Sequence, residues 1–304
     1  MAGRNVLAHD LSPYAALLTS AKLNPYKSIS AALDDTATVH SQVKSFGQRI
    51  DLRVIPKFVR SFFHPETLRE ILIWKSILQQ TNRHFMLACL LGILHHQRPG
   101  FLSYPSSHTV PYLRTNRFPR EFYPELYDFR DVRSRLDKKI IRAFKRHADL
   151  DFAMKRICAI QDASAFRTKR KFDAIITSPP YMRQLDYGRD NRLRLWFLNC
   201  PEWKLLDAAV SPTESQFLVL MRSCLKQWRT IITKGGRCVL ILGDTKSRIY
   251  DMNLPDAVAL MATKEIGGYT LRHWRRDEIP TSRRVRRNYR GNESETILIL
   301  ENRG

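Results

Sequence analysis

The chain has 304 residues, of which 43% are hydrophobic, so it can build a substantial core in one large domain or two. Its formal net charge is +22, which is far from the balance of a typical metabolic enzyme. This charge favours a polyanionic partner, because each Lys or Arg that meets a phosphate releases condensed counterions. Ribosome association, a membrane surface and general solubility are the alternatives that charge alone leaves open.

Cysteine usage and hydropathy narrow the compartment. The five cysteines include no C-x-x-C pair and no accompanying histidine spacing, so neither a zinc site nor a disulfide framework is indicated. The first ten residues lack a signal-peptide core, and the longest apolar run, Phe85 to Leu94, is too short to span a bilayer. We therefore expect a cytoplasmic protein with no metal and no membrane partner.

Two apolar runs end in a carboxylate. The first is Asn5 to Asp10, which reads as a short strand and is followed by a helix with Ser12 as its cap and Pro13 at its first position. The second is the run from Arg156, which ends at Asp162. An acid at the end of a strand is typical of nucleotide-binding folds, and a plain helix cap is the alternative in both places.

Residues from about 24 to 150 lack the alternation of strand and helix. Amphipathic patterns predict helices over 66–80, 83–95 and 131–147, so we expect an inserted helical domain. Within it, the segment from Pro99 to Pro124 is rich in proline, aromatics and arginine. That composition suits base stacking beside phosphate contact, and an irregular segment packed on the helices is the alternative.

The stretch Thr177-Ser-Pro-Pro-Tyr-Met-Arg-Gln-Leu-Asp186 follows the apolar run Phe172 to Ile176, which reads as a buried strand. The two prolines forbid both helix and sheet continuation, so the chain must leave the sheet stiffly extended. Ser178 and Tyr181 are then held at the carboxyl end of the strand, where open α/β sheets bind ligands. The alternative is a Pro-Pro turn with a core tyrosine.

The rest of the chain again alternates helix and strand. Helices are predicted over 216–233 and 255–266, and strands over 237–242, 269–274 and 295–300, with Gly235-Gly236 as a turn before the first of these strands. Spaced arginines after the Pro-Pro loop are candidates for contact with a nucleic-acid backbone, or else form a solvated helix face: Arg189, Arg192 and Arg194. A dense basic loop before the last strand is a second candidate for phosphate contact: Arg283, Arg284, Arg286, Arg287 and Arg290.

The strand ending in Ser178-Pro179-Pro180-Tyr181 resembles the fourth motif of S-adenosylmethionine-dependent amino-methyltransferases that act on nucleic-acid bases. The Ser-first form is most similar to the cytosine-N4 branch. The resemblance implies a Rossmann-like α/β methyltransferase sheet, with residues 1–25 and 151–304 as catalytic domain and 26–150 as a helical insertion that is a candidate target-recognition region. It also implies S-adenosylmethionine as cofactor and DNA as partner, with RNA as the alternative.

The same resemblance implies roles for individual residues. Ser178 Oγ and the Pro179 carbonyl would accept the two hydrogens of the exocyclic amine, within the Ser178-Pro179-Pro180-Tyr181 catalytic motif, and Tyr181 would stack on a base swung out of the duplex. Ser178 also counts among the cofactor-binding positions. Asp10 would bind the cofactor ribose hydroxyls, and Asp162 would contact the adenine amino group.

One motif of the resembled family is missing. Its first motif, a strand leading into a glycine-rich loop that admits the methionine part of the cofactor, should precede Asn5, and the twelve glycines include no G-x-G. A start codon placed too late, a split enzyme completed by a second polypeptide, and a decayed remnant would each explain this. The sequence thus predicts a site-specific DNA methyltransferase of the restriction-modification type. The alternatives are an adenine-N6 or RNA base methylase, or a non-catalytic nucleic-acid-binding subunit.

Overall fold

The structure is a computed structural model that describes residues 3–47, 50–145, 150–180, 186–210, 213–280 and 292–304. The chain forms two compact units. Unit 1 consists of Met1–Ile160 and Gly188–Trp203, and unit 2 of Gln161–Tyr187 and Lys204–Gly304. The predicted division, 1–25 with 151–304 against 26–150, groups the residues differently and stays a prediction.

The described part of unit 1 contains one short parallel sheet. Strand β1 (Val6–Asp10) pairs with β2 (Arg156–Ile160), and Asp10 lies opposite Ile160 in the register. Among the described residues no other strand pairs with either of them. No described strand therefore covers the outer edge of β1, where a further strand could pair.

Helices make up most of the regular secondary structure of unit 1. They are α1 (Pro13–Leu23), α2 (Ile29–Lys44), α3 (Lys57–Arg60), α4 (Pro65–Gln80), α5 (His84–Gly92), α6 (Val132–Phe144) and, apart from its first residue, α7 (Tyr187–Phe197). The predicted start of α1 is confirmed, since Ser12 Oγ accepts the Ala15 N–H at 3.4 Å and Pro13 is the first helical residue. α5 ends three residues before the predicted His95, because the Ile93 N–H bonds Leu90 O at 3.2 Å and tightens the last turn.

The core of unit 1 is continuous from α1 to α7. Its largest buried side chains include Trp74 and Phe63, and Phe197 of α7 packs edge-on against Phe63 with ring centroids 6.1 Å apart. Burial of such rings is the main stabilising contribution, at about 25 cal/mol per Å² of apolar surface. α7 thus joins the helical unit although it follows the Pro-Pro loop in sequence.

Unit 2 is built on a mixed sheet. Strand β3 (Phe172–Thr177) runs parallel to β4 (Ile232–Gly243). After the small hairpin of β5 (Lys246–Ser247) and β6 (Met252–Asn253), β7 (Tyr269–Glu278) and β8 (Ser294–Asn302) complete the order β3-β4-β8-β7. β7 and β8 are antiparallel, so the predicted closing hairpin is confirmed. The combination of this sheet with many helices confirms the predicted α/β class.

Three helices lie in the described part of unit 2: α8 (Trp203–Val210), α9 (Glu214–Ile231) and α10 (Leu254–Leu260). The first residue of α8, Trp203, falls in unit 1, and α10 is continued by a π-helical turn over Met261–Ile266. Phe217 and Trp228 of α9 share a buried cluster with Leu240 of β4 and Leu298 of β8. β3 is less covered, since the Ile176 side chain is 72% exposed. Among the described residues β3 pairs only with β4, which leaves its other edge open.

The sequence predicted that Gly235-Gly236 forms a turn before the strand, and this prediction is wrong. The pair lies inside β4. Pairing with β3 shifts from Phe172 opposite Ile232 to Ala174 opposite Arg237, so the two glycines form a bulge. Gly235 has φ +76°, and a Cβ on Gly236 would lie 2.9 Å from the Asp173 carbonyl oxygen. The bulge needs glycine at both positions, and it lets the strand start directly at the end of α9.

None of the described helices has the length and apolar composition required to cross a bilayer.

Candidate active site

The Pro-Pro loop leaves the sheet of unit 2 at the carboxyl end of β3. Thr177, the last residue of the strand, pairs with Leu240, and the next residue, Ser178, is exposed. The Ser178 hydroxyl has no hydrogen-bond partner among the described residues. Pro179 is buried and Pro180 half-buried, so the backbone that presents Ser178 is anchored. Tyr181 lies outside the described residues.

Asp10 ends β1 and is half-buried in unit 1. Its Oδ1 accepts the Ser12 N–H at 2.8 Å, which closes the turn into α1. Burial raises the pKa of the Asp10 carboxyl, and the Ser12 hydrogen bond opposes that rise. Oδ2 has no donor among the described residues. One oxygen of Asp10 therefore stabilises the start of the helix, as in the helix-cap alternative given for this acid. The other oxygen remains available for a ligand.

Asp162 repeats this arrangement two residues after the end of β2. Its Oδ1 accepts both the N–H and the hydroxyl of Ser164 at 2.7 Å, and the side chain is exposed. Both strand-terminal acids are thus followed by an Asp-x-Ser turn in which one carboxylate oxygen fixes the backbone. The repeat is visible in the sequence as Asp10-Leu11-Ser12 and Asp162-Ala163-Ser164. It is the signal by which the two serines could have been identified as positioning residues.

Asp244 follows β4 at the same end of the sheet as Ser178 and was not among the site residues predicted from the sequence. Its Oδ1 accepts from Thr296 Oγ1 at 2.6 Å and from Asn253 Nδ2 at 3.3 Å. Oδ2 accepts from the Ser294 hydroxyl and forms an ion pair with Arg276 at 3.2 Å. Both oxygens are therefore saturated by protein donors, and Asp244 fixes the strand ends instead of offering an acceptor to a ligand.

The arginines of α7 have different environments. Arg192 donates from Nη2 to Pro111 O at 2.6 Å, and its guanidinium lies 4.9 Å from the centroid of the Phe58 ring. Burial lowers the pKa of Arg192 and also that of Arg194, which donates from Nε to Leu91 O at 3.2 Å. The Arg189 side chain is 42% exposed, and its Nε lies 3.8 Å from Asp190 Oδ1.

Protein contacts thus already use part of the donor capacity of Arg192 and Arg194 within unit 1. The five arginines of the basic loop lie outside the described residues: Arg283, Arg284, Arg286, Arg287 and Arg290. Their predicted contact with phosphate stays a prediction. Among the described residues, no three His, Cys, Asp or Glu side chains are grouped so that they could hold a metal ion.

No family model and no curated protein matches the chain. Solved structures that it resembles include TrmN from Thermus thermophilus, at 17% identity over 56% of this chain and 33% of that one, with a TM-score of 0.27. A predicted DNA modification methylase, also from Thermus thermophilus, matches at 16% identity over 47% of this chain and 49% of that one, with a TM-score of 0.27.

The N-methyltransferase NodS from Bradyrhizobium japonicum matches at 14% identity over 56% of this chain and 69% of that one, with a TM-score of 0.29. NodS has also been solved in complex with S-adenosyl-L-homocysteine. The chain spans about a third of TrmN and half of the modification methylase. With TM-scores below 0.5, these likenesses carry no argument about the site, which has to be judged from its own residues.

Proposed function

We propose that the protein is an S-adenosylmethionine-dependent methyltransferase that acts on an exocyclic base amine of DNA, cytosine N4 in particular. The observation that carries the proposal is the Ser178 hydroxyl, exposed and without a partner among the described residues, on a proline-anchored backbone at the carboxyl end of a parallel strand. Because no described residue uses its hydroxyl, Ser178 can accept a hydrogen bond from a ligand.

The chemistry of the amine explains why this group is useful. The lone pair of the exocyclic nitrogen is delocalised into the ring, which makes it a poor nucleophile. Ser178 Oγ and the Pro179 carbonyl would accept its two hydrogens and favour a pyramidal nitrogen with a directed lone pair. The nitrogen then gains a methyl group and loses one proton to solvent, without a covalent enzyme intermediate.

The strand-terminal acids fit the proposed cofactor in part. Asp10 retains one carboxylate oxygen, which suits the ribose diol, and Asp162 is exposed and suits an amino group. When bound, S-adenosylmethionine supplies the electrophilic methyl group on its sulfur. No described residue is assigned to its methionine part, and nothing in the comparisons supports a second polypeptide as the source of that contact.

The decisive experiment is nucleoside mass spectrometry after incubation of the full chain with methyl-labelled S-adenosylmethionine and either DNA or RNA. We expect N4-methylcytosine in DNA. Methyl transfer to adenine or to RNA alone would reassign the substrate, and no transfer to any nucleic acid would overturn the proposal. Ser178→Ala should lower turnover about 100-fold, as the loss of one preorganised hydrogen-bonding group does elsewhere. The matched control is Ser223→Ala, an exposed serine of α9, which should leave turnover unchanged.

The alternative is a non-catalytic nucleic-acid-binding component, which the open edge of β3 favours because a strand of the resembled fold is not found there among the described residues. Calorimetry separates the two. Binding of S-adenosylmethionine by the chain, weakened in Asp10→Asn, supports the enzyme. Salt-dependent DNA binding without cofactor binding supports the alternative.

A further inference from the structure

An aromatic–arginine surface is exposed on unit 1, formed by Tyr112, Arg114, Arg117, Arg120, Phe122 and Tyr123. Phe122 is 76% exposed, Tyr112 48% and Tyr123 40%. Single exposed apolar residues are normal in proteins, whereas here three large exposed rings lie within twelve residues of one segment, which is unusual for a surface without a ligand.

The backbone that carries this surface is ordered without long helices or strands. The Arg114 N–H donates to Pro105 O at 2.8 Å, Phe118 N–H to Arg114 O at 2.9 Å and Tyr123 N–H to Pro119 O at 3.0 Å. Behind it, the Arg130 guanidinium donates to three backbone carbonyls, of Phe101, Ser103 and Leu126, at 2.5 to 2.7 Å. The backbone that carries the exposed rings is therefore preorganised, which lowers the entropic cost of binding a ligand on them.

The arginines stand beside ring faces and not beside carboxylates. The guanidinium carbon of Arg117 lies 5.7 Å from the Phe118 ring centroid, and that of Arg114 lies 6.0 Å from the centroid of Tyr112. None of the surface arginines has a carboxylate partner among the described residues. The segment 112–123 contains three arginines and one acidic residue, Glu121. The segment keeps a net positive charge, which favours an anionic ligand.

We propose that the aromatic–arginine surface binds an unpaired stretch of nucleic acid, with bases stacked on Tyr112, Phe122 and Tyr123 and phosphates contacted by the arginines. The identity of the partner as nucleic acid rests on the proposed function. Ring faces select unpaired bases, because the bases of a duplex are already stacked on one another. The combination of exposed rings with cations free of carboxylates is what single-strand sites share.

The test is fluorescence anisotropy of the full chain with a labelled 20-nucleotide single strand, as DNA and as RNA, and with the corresponding duplex. Tyr112→Ala with Phe122→Ala should weaken single-strand binding at least tenfold and duplex binding less than twofold. The matched control is Phe46→Ala, an exposed phenylalanine of unit 1 without a described cation contact, which should change neither affinity. Because all three side chains are exposed, the variants should fold, and thermal unfolding checks this.

A second pair of variants tests the cations separately. Arg117→Gln with Arg120→Gln should reduce the slope of log affinity against log salt by about 0.7 for each phosphate that is no longer neutralised, whereas Arg60→Gln, an exposed arginine of α3, should not. Equal weakening of single strand and duplex in the aromatic variants, or no weakening, would overturn the proposal. A protein bound through the same rings, with no nucleic-acid affinity, would also overturn it.

The outcome is separable from that of the proposed function. The binding measured in this way needs no methyl donor. Ring-dependent single-strand binding together with no methyl transfer would refute the methyltransferase alone. Methyl transfer together with single-strand binding that does not depend on the rings would refute the surface alone. Stronger binding of the DNA or the RNA strand identifies the nucleic acid.

Discussion

Arg130 in unit 1 and Asp244 in unit 2 are both charged groups that hold irregular backbone, and they do so in opposite ways. Arg130, 5% exposed, donates to three neutral carbonyls and has no ion-pair partner among the described residues. Asp244, whose side chain is 8% exposed, accepts from two hydroxyls and an amide and pairs with Arg276.

The difference teaches where each unit places its polar stabilisation. In unit 1 a single cation, Arg130, donates to backbone carbonyls of a long segment that has no described strand partner. Burial lowers the pKa of Arg130 to about 10. In unit 2 the strand ends are already hydrogen-bonded to each other, and the Asp244 carboxylate accepts from several separate donors. Loss of one group should therefore be more damaging in unit 1 than in unit 2.

The largest effect is expected from Arg130→Met, which keeps much of the side-chain volume and leaves one buried and two partly buried carbonyls without their donor. We expect unit 1 to lose about 3 kcal/mol of unfolding free energy. The measurement is pulse proteolysis in urea, with fragments assigned to each unit by mass spectrometry. Arg130→Lys should recover part of the loss. A variant as stable as the wild type would mean that the carbonyls find other donors.

Asp244→Ala should have a smaller effect, about 2 kcal/mol on unit 2, since the hydroxyls it releases can turn to other acceptors. Hydrogen exchange should increase at the carboxyl end of β4 and the start of β8, where its partners lie, and not in unit 1. Asp244→Asn is the control, because it keeps the acceptor for Thr296 and removes the charge facing Arg276. Exchange that increased evenly over the sheet would contradict an anchor confined to the strand ends.

A pH dependence should also separate the units. Burial is the main cause that lowers the pKa of His95 in unit 1 to about 3. The unfolded chain therefore binds a proton below pH 6.5 that the folded protein does not. Unit 1 should lose stability as pH falls from 6.5 toward 3, at about 1.4 kcal/mol per pH unit from this residue. His95→Asn keeps a donor for Ser107 O and should flatten the profile, whereas an equally steep variant would assign the dependence to other groups.

The sequence predicted these two regions unequally. Caps, proline positions and amphipathic patterns predicted α1, α4 and α9, because such signals are local. The bulge at Gly235-Gly236 was missed, since its cause is the close approach of the Asp173 carbonyl from another strand. Arg130 carried no signal at all, because its three partners are backbone atoms that come together only in the folded unit.

The candidate site shows the same limit. The position of Ser178 after β3 followed from the prolines and was predicted. That Arg192 would donate to Pro111 O could not be predicted, since 81 residues separate the two in sequence. Spaced arginines on a helix read alike whether they face solvent or a neighbouring carbonyl, and only packing distinguishes them.

The smallest effects come from neutral hydroxyls that support each charged anchor. Thr67 Oγ1 accepts the Arg130 N–H at 2.8 Å and donates to Arg130 O at 3.1 Å, and Ser294 Oγ donates to Asp244. Thr67→Val and Ser294→Ala should each cost about 1 kcal/mol in their own unit. Thr67→Val should lose its effect in an Arg130→Gly background, because the backbone that Thr67 holds is already released there. Ser294→Ala should keep part of its effect in an Asp244→Asn background. Double-mutant cycles by urea unfolding measure both couplings, and equal couplings would show that the two units use their buried charges in the same way.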